Sequence, residues 1–227
     1  MLRVRPSLVS NLTRRNAKKR TVAVKTRTTV DPFANSASRQ AAGVFGMSLF
    51  LMTLGVLFAA TMLGYVVVRL NPDPQAPFFS STSPALPHLM LVSTLTLLIS
   101  SVTIHATVKA VRAGSMVVAR SRAGITLGLA MVFLLLQGVS WFMLWQQKFF
   151  IGSSMYAWTF YVLTGLHALH VVGGLVPLTL VWRRVRWGRY QPKNPEGLLY
   201  CEMYWHFLGG VWLALYATLW LGSLTWR

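Results

Sequence analysis

The chain has 227 residues, enough for one or two soluble domains, yet 54% of it is hydrophobic and only 11% charged, under half of the roughly 25% usual in soluble proteins. A formal charge of +18 comes from 22 Lys and Arg against four acids, Asp31, Asp73, Glu196 and Glu202, which points to an anionic membrane surface or to nucleic acid. The single cysteine, Cys201, excludes an intrachain disulfide and a Cys-rich metal cluster.

Residues 1–41 read as a basic arm. The stretch carries ten Lys and Arg, no acid before Asp31 and no apolar run long enough for a signal-peptide core. Its Arg and Ser/Thr content resembles a mitochondrial transit peptide, but a retained cytoplasmic arm is the expectation adopted. The arm's composition cannot bury enough surface to offset backbone ordering, so contact with lipid or a partner is expected to order it.

Five apolar segments follow, at about 42–69, 86–111, 123–147, 155–182 and 200–225, each longer than the roughly 20 residues needed to cross a bilayer core. Backbone groups in lipid must be satisfied within the segment, so each is expected to be a helix. The predicted architecture is all-α, an integral membrane five-helix bundle over 42–227. Its predicted breaks are NPDPQAP with the following Ser/Thr/Pro stretch, the basic linkers 112–122 and 183–197, and the short connection 146–154.

Charge placement predicts orientation. Besides the arm's ten cations, Lys109, Arg112, Arg120 and Arg122 flank the second break, and Arg183, Arg184, Arg186, Arg189 and Lys193 flank the fourth, while only Arg69, Lys148 and Arg227 fall on the other side. The positive-inside rule then puts the N-terminus in the cytoplasm and the C-terminus outside. Trp141, Trp145, Tyr156, Trp158, Trp220 and Trp226 fall at the predicted outer interface, and Trp182, Trp187, Tyr204 and Trp205 near the inner one. Lipid headgroups thus account for the basic balance without nucleic acid.

Histidines supply most of the ionisable groups inside these segments, a placement that by default calls for a functional explanation. They are His88, His105, His167, His170 and His206. His167 and His170, three apart, share a helix face, which admits a metal pair, axial haem ligation or hydrogen bonding between helices. Haem held by four helices wants histidines at matched depth, and His88 near one helix end with His206 near the start of the last helix does not give that. No nucleophile beside a base, no paired carboxylates and no phosphate-binding Gly loop is present.

Two stretches go further. TFYVLTGLHALHVVGG at 159–174 and YWHFLGGVWLALYATLW at 204–220 resemble signature segments of cytochrome c oxidase subunit III, through His167, His170, Tyr204, Trp205, His206, Phe207, Val211 and Trp212. Weaker likeness in 46–60 and 98–112 extends the resemblance over about 42–225. It implies the five-helix short form of a structural, non-catalytic subunit of a haem-copper oxidase in a bacterial inner membrane. Subunits I and II are the implied partners, with haem and copper in them and no redox centre or metal in this chain.

Structural phospholipid is implied as well, with Arg184, Trp205 and His206 as the lipid-binding candidates and His167, His170, Tyr204, Phe207 and Trp212 as packing residues. Four acids usual in the family are replaced here by Leu54, Ser140, Leu199 and Gly209, which takes proton uptake out of the transferred role. Two other readings remain open: a subunit III-like accessory protein of nitric oxide reductase, and a haem-binding membrane electron carrier.

Overall fold

The computed structural model describes residues 36–70, 88–190 and 195–224. The arm as far as residue 35, the connection 71–87, Lys193 and the C-terminal Trp226 and Arg227 lie outside the described residues, and so do the expectations placed on them. The rest is all-helical: α1 (Ser36–Leu70), α2 (Leu89–Arg112), α3 (Met116–Gln146), α4 (Met155–Arg186) and α5 (Glu196–Leu224).

The helices α1 to α4 are long and apolar enough to cross a membrane. The fifth, at 29 residues, is about 43 Å long at 1.5 Å per residue. Trp, Tyr and Gly together with Glu202 and His206 dilute its aliphatic content.

Several boundaries differ from those expected: α1 begins at Ser36, inside the stretch read as the arm, and α5 at Glu196, ahead of the expected 42 and 200. The linker read over 112–122 shrinks to Ala113, Gly114 and Ser115, with α3 resuming at Met116, and α4 runs on through Arg183 and Arg184 to Arg186. Basic residues do not break helices. Their long side chains find polar partners at the helix ends: Arg122 Nη1 donates to the Ala106 carbonyl at 3.1 Å and Arg120 Nε reaches the Val185 carbonyl at 3.4 Å. On the same end Arg183 and Arg189 lie over the Trp187 ring, at 4.8 and 5.1 Å, and Arg186 over Trp182, cation–aromatic pairs suited to a headgroup layer.

Three helices end in one motif. After α2, the Ser115 N–H reaches back to the Ala110 carbonyl and the Gly114 N–H to Val111, with Gly114 at φ 73°. After α4, Arg189 bonds to Arg184 and Gly188, at φ 66°, to Val185. Both are Schellman caps, which want glycine in the left-handed region. The α3 end repeats the pattern with Phe149 to Leu144 and Lys148 to Trp145, but places the non-glycine Lys148 at φ 62°. The short connection then enters α4 through Ser154, whose hydroxyl accepts from the Ala157 N–H at 3.1 Å, an N-cap.

The closest pairings run α2 with α3, α3 with α4, α4 with α5, and α5 back to α2, a closed ring of four. The remaining helix, α1, meets α4 and α5 through large side chains: Phe50 stacks on Tyr204, Phe58 edges onto His170 and Tyr65 tilts onto Tyr156. Phe58, Phe133, Phe160, Trp205 and Trp212 are among the largest fully buried side chains. Because lipid tails are as apolar as the core, what holds such helices is close packing and interhelical hydrogen bonding rather than escape from water.

Candidate functional site

The signature residues converge at the centre of the bundle. His167 on α4 is fully buried between Trp212 of α5 at 5.0 Å, Phe58 of α1 at 6.0 Å and Phe133 of α3 at 6.1 Å between ring centroids, and neither of its ring nitrogens has a hydrogen-bond partner. One turn on, His170 Nδ1 lies 2.7 Å from the Leu166 carbonyl, and the His170 carbonyl accepts from the Tyr204 hydroxyl at 2.9 Å.

The two motif tryptophans tie α5 to α2. Trp205 Nε1 donates to Ser100 Oγ and Trp212 Nε1 to Thr94 Oγ1, each at 3.0 Å. In parallel, Gln137 of α3 donates to Ser93 Oγ at 2.6 Å. Phe207, half-buried, faces α1 near Gly55. His167 thus packs on Trp212 and Tyr204 reaches the His170 carbonyl, while Phe207 faces α1.

The four positions where the resemblance expects acids carry no carboxylate. Leu54 and Ser140 are buried, Ser140 Oγ bonding to the Leu136 carbonyl of its own helix at 2.8 Å. Leu199 packs partly buried on the core. Gly209 marks a close approach of α5 to α2, since a Cβ there would lie 3.3 Å from Ser101 Oγ.

The lipid candidates separate. Trp205 is buried at 1% exposure, so its indole faces other helices. Arg184 is exposed at the basic end and, with Tyr190 from the segment after α4, lies beside the first turn of α5: a Cβ on Gly197 would lie 3.3 Å from the Tyr190 hydroxyl and 3.5 Å from Arg184 Nη1. Gly197 precedes Trp205 by eight residues, roughly 12 Å of helix. Burial raises the Tyr190 pKa, against a smaller opposing effect of the Arg184 guanidinium.

His206 turns instead toward α2, where His105 Nδ1 lies 2.6 Å from Glu202 Oε1 and His206 Nε2 lies 3.7 Å from the same oxygen. The sequence reading gave Glu202 no role and did not match His105 to His206 in depth. The signal was there: Glu202 and His206 are one turn apart on α5, and His105 lies seven residues before the end of α2.

At the opposite end Arg69 is buried, with 4% exposure. It donates to the Gly222 carbonyl through Nε at 3.0 Å and Nη2 at 2.7 Å, and lies 4.7 Å from the centre of the Tyr156 ring. This arginine therefore joins α1 to the last turn of α5, where carbonyls lack helical partners. Trp141 and Trp145 line an apolar groove of about 580 Å³ with Phe150 and Tyr161.

Residues 19–224 match the family model described as cytochrome c oxidase subunit III. Cytochrome c oxidase subunit 3 of Synechocystis sp. is 31% identical over 183 residues, covering 78% of this chain and 75% of that protein. Its Homo sapiens counterpart is 32% identical over 187 residues, covering 79% and 69%, and the probable cytochrome c oxidase subunit 3 of Nocardia farcinica is 30% identical over 177 residues, covering 77% and 85%.

Proposed function

The chain belongs to the cytochrome c oxidase subunit III family, and from that premise we propose that it is a structural subunit with no redox centre of its own. It is a multi-pass membrane protein and a subunit of a haem-copper oxidase, an oxidoreductase complex; the nitric oxide reductase and electron-carrier readings are not favoured. In this proposal it packs against subunits I and II, which carry the haem and copper, in a bacterial inner membrane. All five helices span, with the N-terminus and the basic turns in the cytoplasm.

One observation carries the passive reading: α1, α2, α3 and α4 contain no Asp or Glu at all. Without a carboxylate those helices lack the acidic group on which an intramembrane proton relay is commonly built, and Ser93, Thr94, Ser100 and Gln137 are engaged in links between helices. The chain then acts by packing, by shielding its partner and by retaining lipid.

Arg184 is the proposed lipid anchor, because its exposed guanidinium at the basic end offers the planar fork that matches a phosphate. Trp205 serves it only indirectly, through helix packing. Native mass spectrometry of the complex tests this: Arg184→Ala retains fewer phospholipids than the parent and Arg184→Lys an intermediate number. Equal retention in all three would leave Arg184 an ordinary interfacial cation.

A further inference from the structure

We propose that His105, Glu202 and His206 form a three-ligand site for a divalent transition-metal cation of the zinc class, which would staple α2 to α5 at the basic end of the bundle. One ligand atom from each residue lies within 4.8 Å of the other two. The donor set is two imidazoles and one carboxylate from two helices, the nitrogen and oxygen mixture that zinc, copper and nickel take and calcium or magnesium do not.

The distances suit an ion after small side-chain movements. Tetrahedral zinc with bonds of about 2.0–2.1 Å holds its ligand atoms roughly 3.3 Å apart. The Glu202 oxygen is now 2.6 Å from His105 Nδ1 and 3.7 Å from His206 Nε2. The first gap must open by about 0.7 Å and the second close by about 0.4 Å, and the two imidazole nitrogens, which lie within 4.8 Å of each other, must draw together, movements that side-chain rotation supplies. The His105 and His206 side chains are 52% and 44% exposed, against 14% for Glu202, so the imidazoles are free to turn about a carboxylate that packing holds. Their exposure leaves one side of the ion open for water or a fourth ligand.

The surroundings single this carboxylate out. The whole chain holds 22 Lys and Arg against four acids, yet among the described residues Glu202 makes its charge contacts with the two imidazoles and with no Lys or Arg. Glu202 and His206, four apart on one helix face, are spaced as helical chelating pairs are. On metal binding the contact between His105 Nδ1 and Glu202 gives way to bonds to the ion, as ligand nitrogens must be unprotonated.

The other clusters are weaker candidates. His167 is enclosed by aromatic rings and joins no cluster of three ligand residues among the described residues, and the groove beside Trp141 holds no charged group.

The test is Zn²⁺ titration of the full chain in detergent, stripped with a chelator and read by competition with a chromophoric zinc indicator. One equivalent is expected to bind, with Glu202→Gln, His105→Ala and His206→Ala each weakening it at least tenfold and His88→Ala leaving it unchanged. Glu202→Gln keeps the shape and an acceptor for His105, so the fold is retained, and a matched thermal transition without zinc checks this. In the parent, zinc should raise that transition; in Glu202→Gln it should not. The absence of a stoichiometric Zn²⁺ below about 100 µM, or undiminished binding in both Glu202→Gln and His105→Ala, would overturn the site.

Discussion

Gly173 and Gly174 are adjacent on α4 and chemically identical, but one is exposed and the other lies against α5, so the pair isolates the α4–α5 contact. A Cβ at Gly174 would lie 2.7 Å from Tyr204 Cε1 and 3.4 Å from Trp205 Cζ3, whereas one at Gly173 meets nothing within 4 Å. Carbon atoms prefer about 3.5–4.0 Å, so Gly174→Ala must push the Tyr204 ring back by nearly 1 Å.

That ring is not free to move, because its hydroxyl donates to the His170 carbonyl at 2.9 Å. Overpacking costs about 1–3 kcal/mol and loss of the hydrogen bond about 1 kcal/mol, while alanine regains roughly 0.5–1 kcal/mol of helix propensity. The net is a loss of about 1–3 kcal/mol for Gly174→Ala, against a gain of up to about 1 kcal/mol for Gly173→Ala. Reversible unfolding of the purified chain in mixed micelles, followed by near-UV circular dichroism, measures both. Adding Tyr204→Ala should relieve the Gly174→Ala penalty, with a coupling of at least about 1 kcal/mol. If the two alanine variants are equally stable, the close α4–α5 approach is wrong.

Three further outcomes are expected. Replacing the buried Arg69 by Met removes both hydrogen bonds to Gly222 and should cost about 1.5–3 kcal/mol in the same unfolding assay; an unchanged midpoint would mean that the clamp contributes nothing. Lys148→Gly should stabilise by about 1 kcal/mol, since the left-handed backbone at φ 62° strains any residue with a Cβ, and destabilisation would contradict the cap assignment. With Cys201 replaced by alanine, a cysteine at Ser81 should react with an impermeant maleimide added outside and one at Ser115 should not, and the reverse pattern would invert the proposed orientation.

Much of this molecule was legible in the sequence because lipid imposes few solutions: five apolar stretches gave five helices. Their ends were less legible. Runs such as Met116–Arg122 and Arg183–Arg186 read as polar linkers, yet arginines at a membrane surface extend a helix and reach carbonyls on its neighbours. The fourth-helix motif disclosed that His167 and His170 share a face. It did not reveal that three other helices close over His167, because ring packing depends on partners far apart in sequence.

Trp205 illustrates the other limit: at interfacial depth a tryptophan can face lipid or a neighbouring helix, and only the Ser100 hydroxyl on α2 settles which. Arg69 was counted as a stray cation outside the positive-inside pattern, and its partner, the Gly222 carbonyl, has no side-chain signal at all. Glu202 and His206 were visible as a one-turn pair, but His105 joins them only through the pairing of α2 with α5.

The central claim, that this chain supports a catalytic partner without moving electrons or protons itself, is tested most directly by following oxygen uptake of the assembled oxidase with the chain present and removed. The account predicts an initial rate that is largely intact without it, followed by faster loss of activity over successive turnovers, restored by adding the chain back. Complete and immediate loss of activity in an otherwise assembled complex, with haem and copper content unchanged, would contradict it.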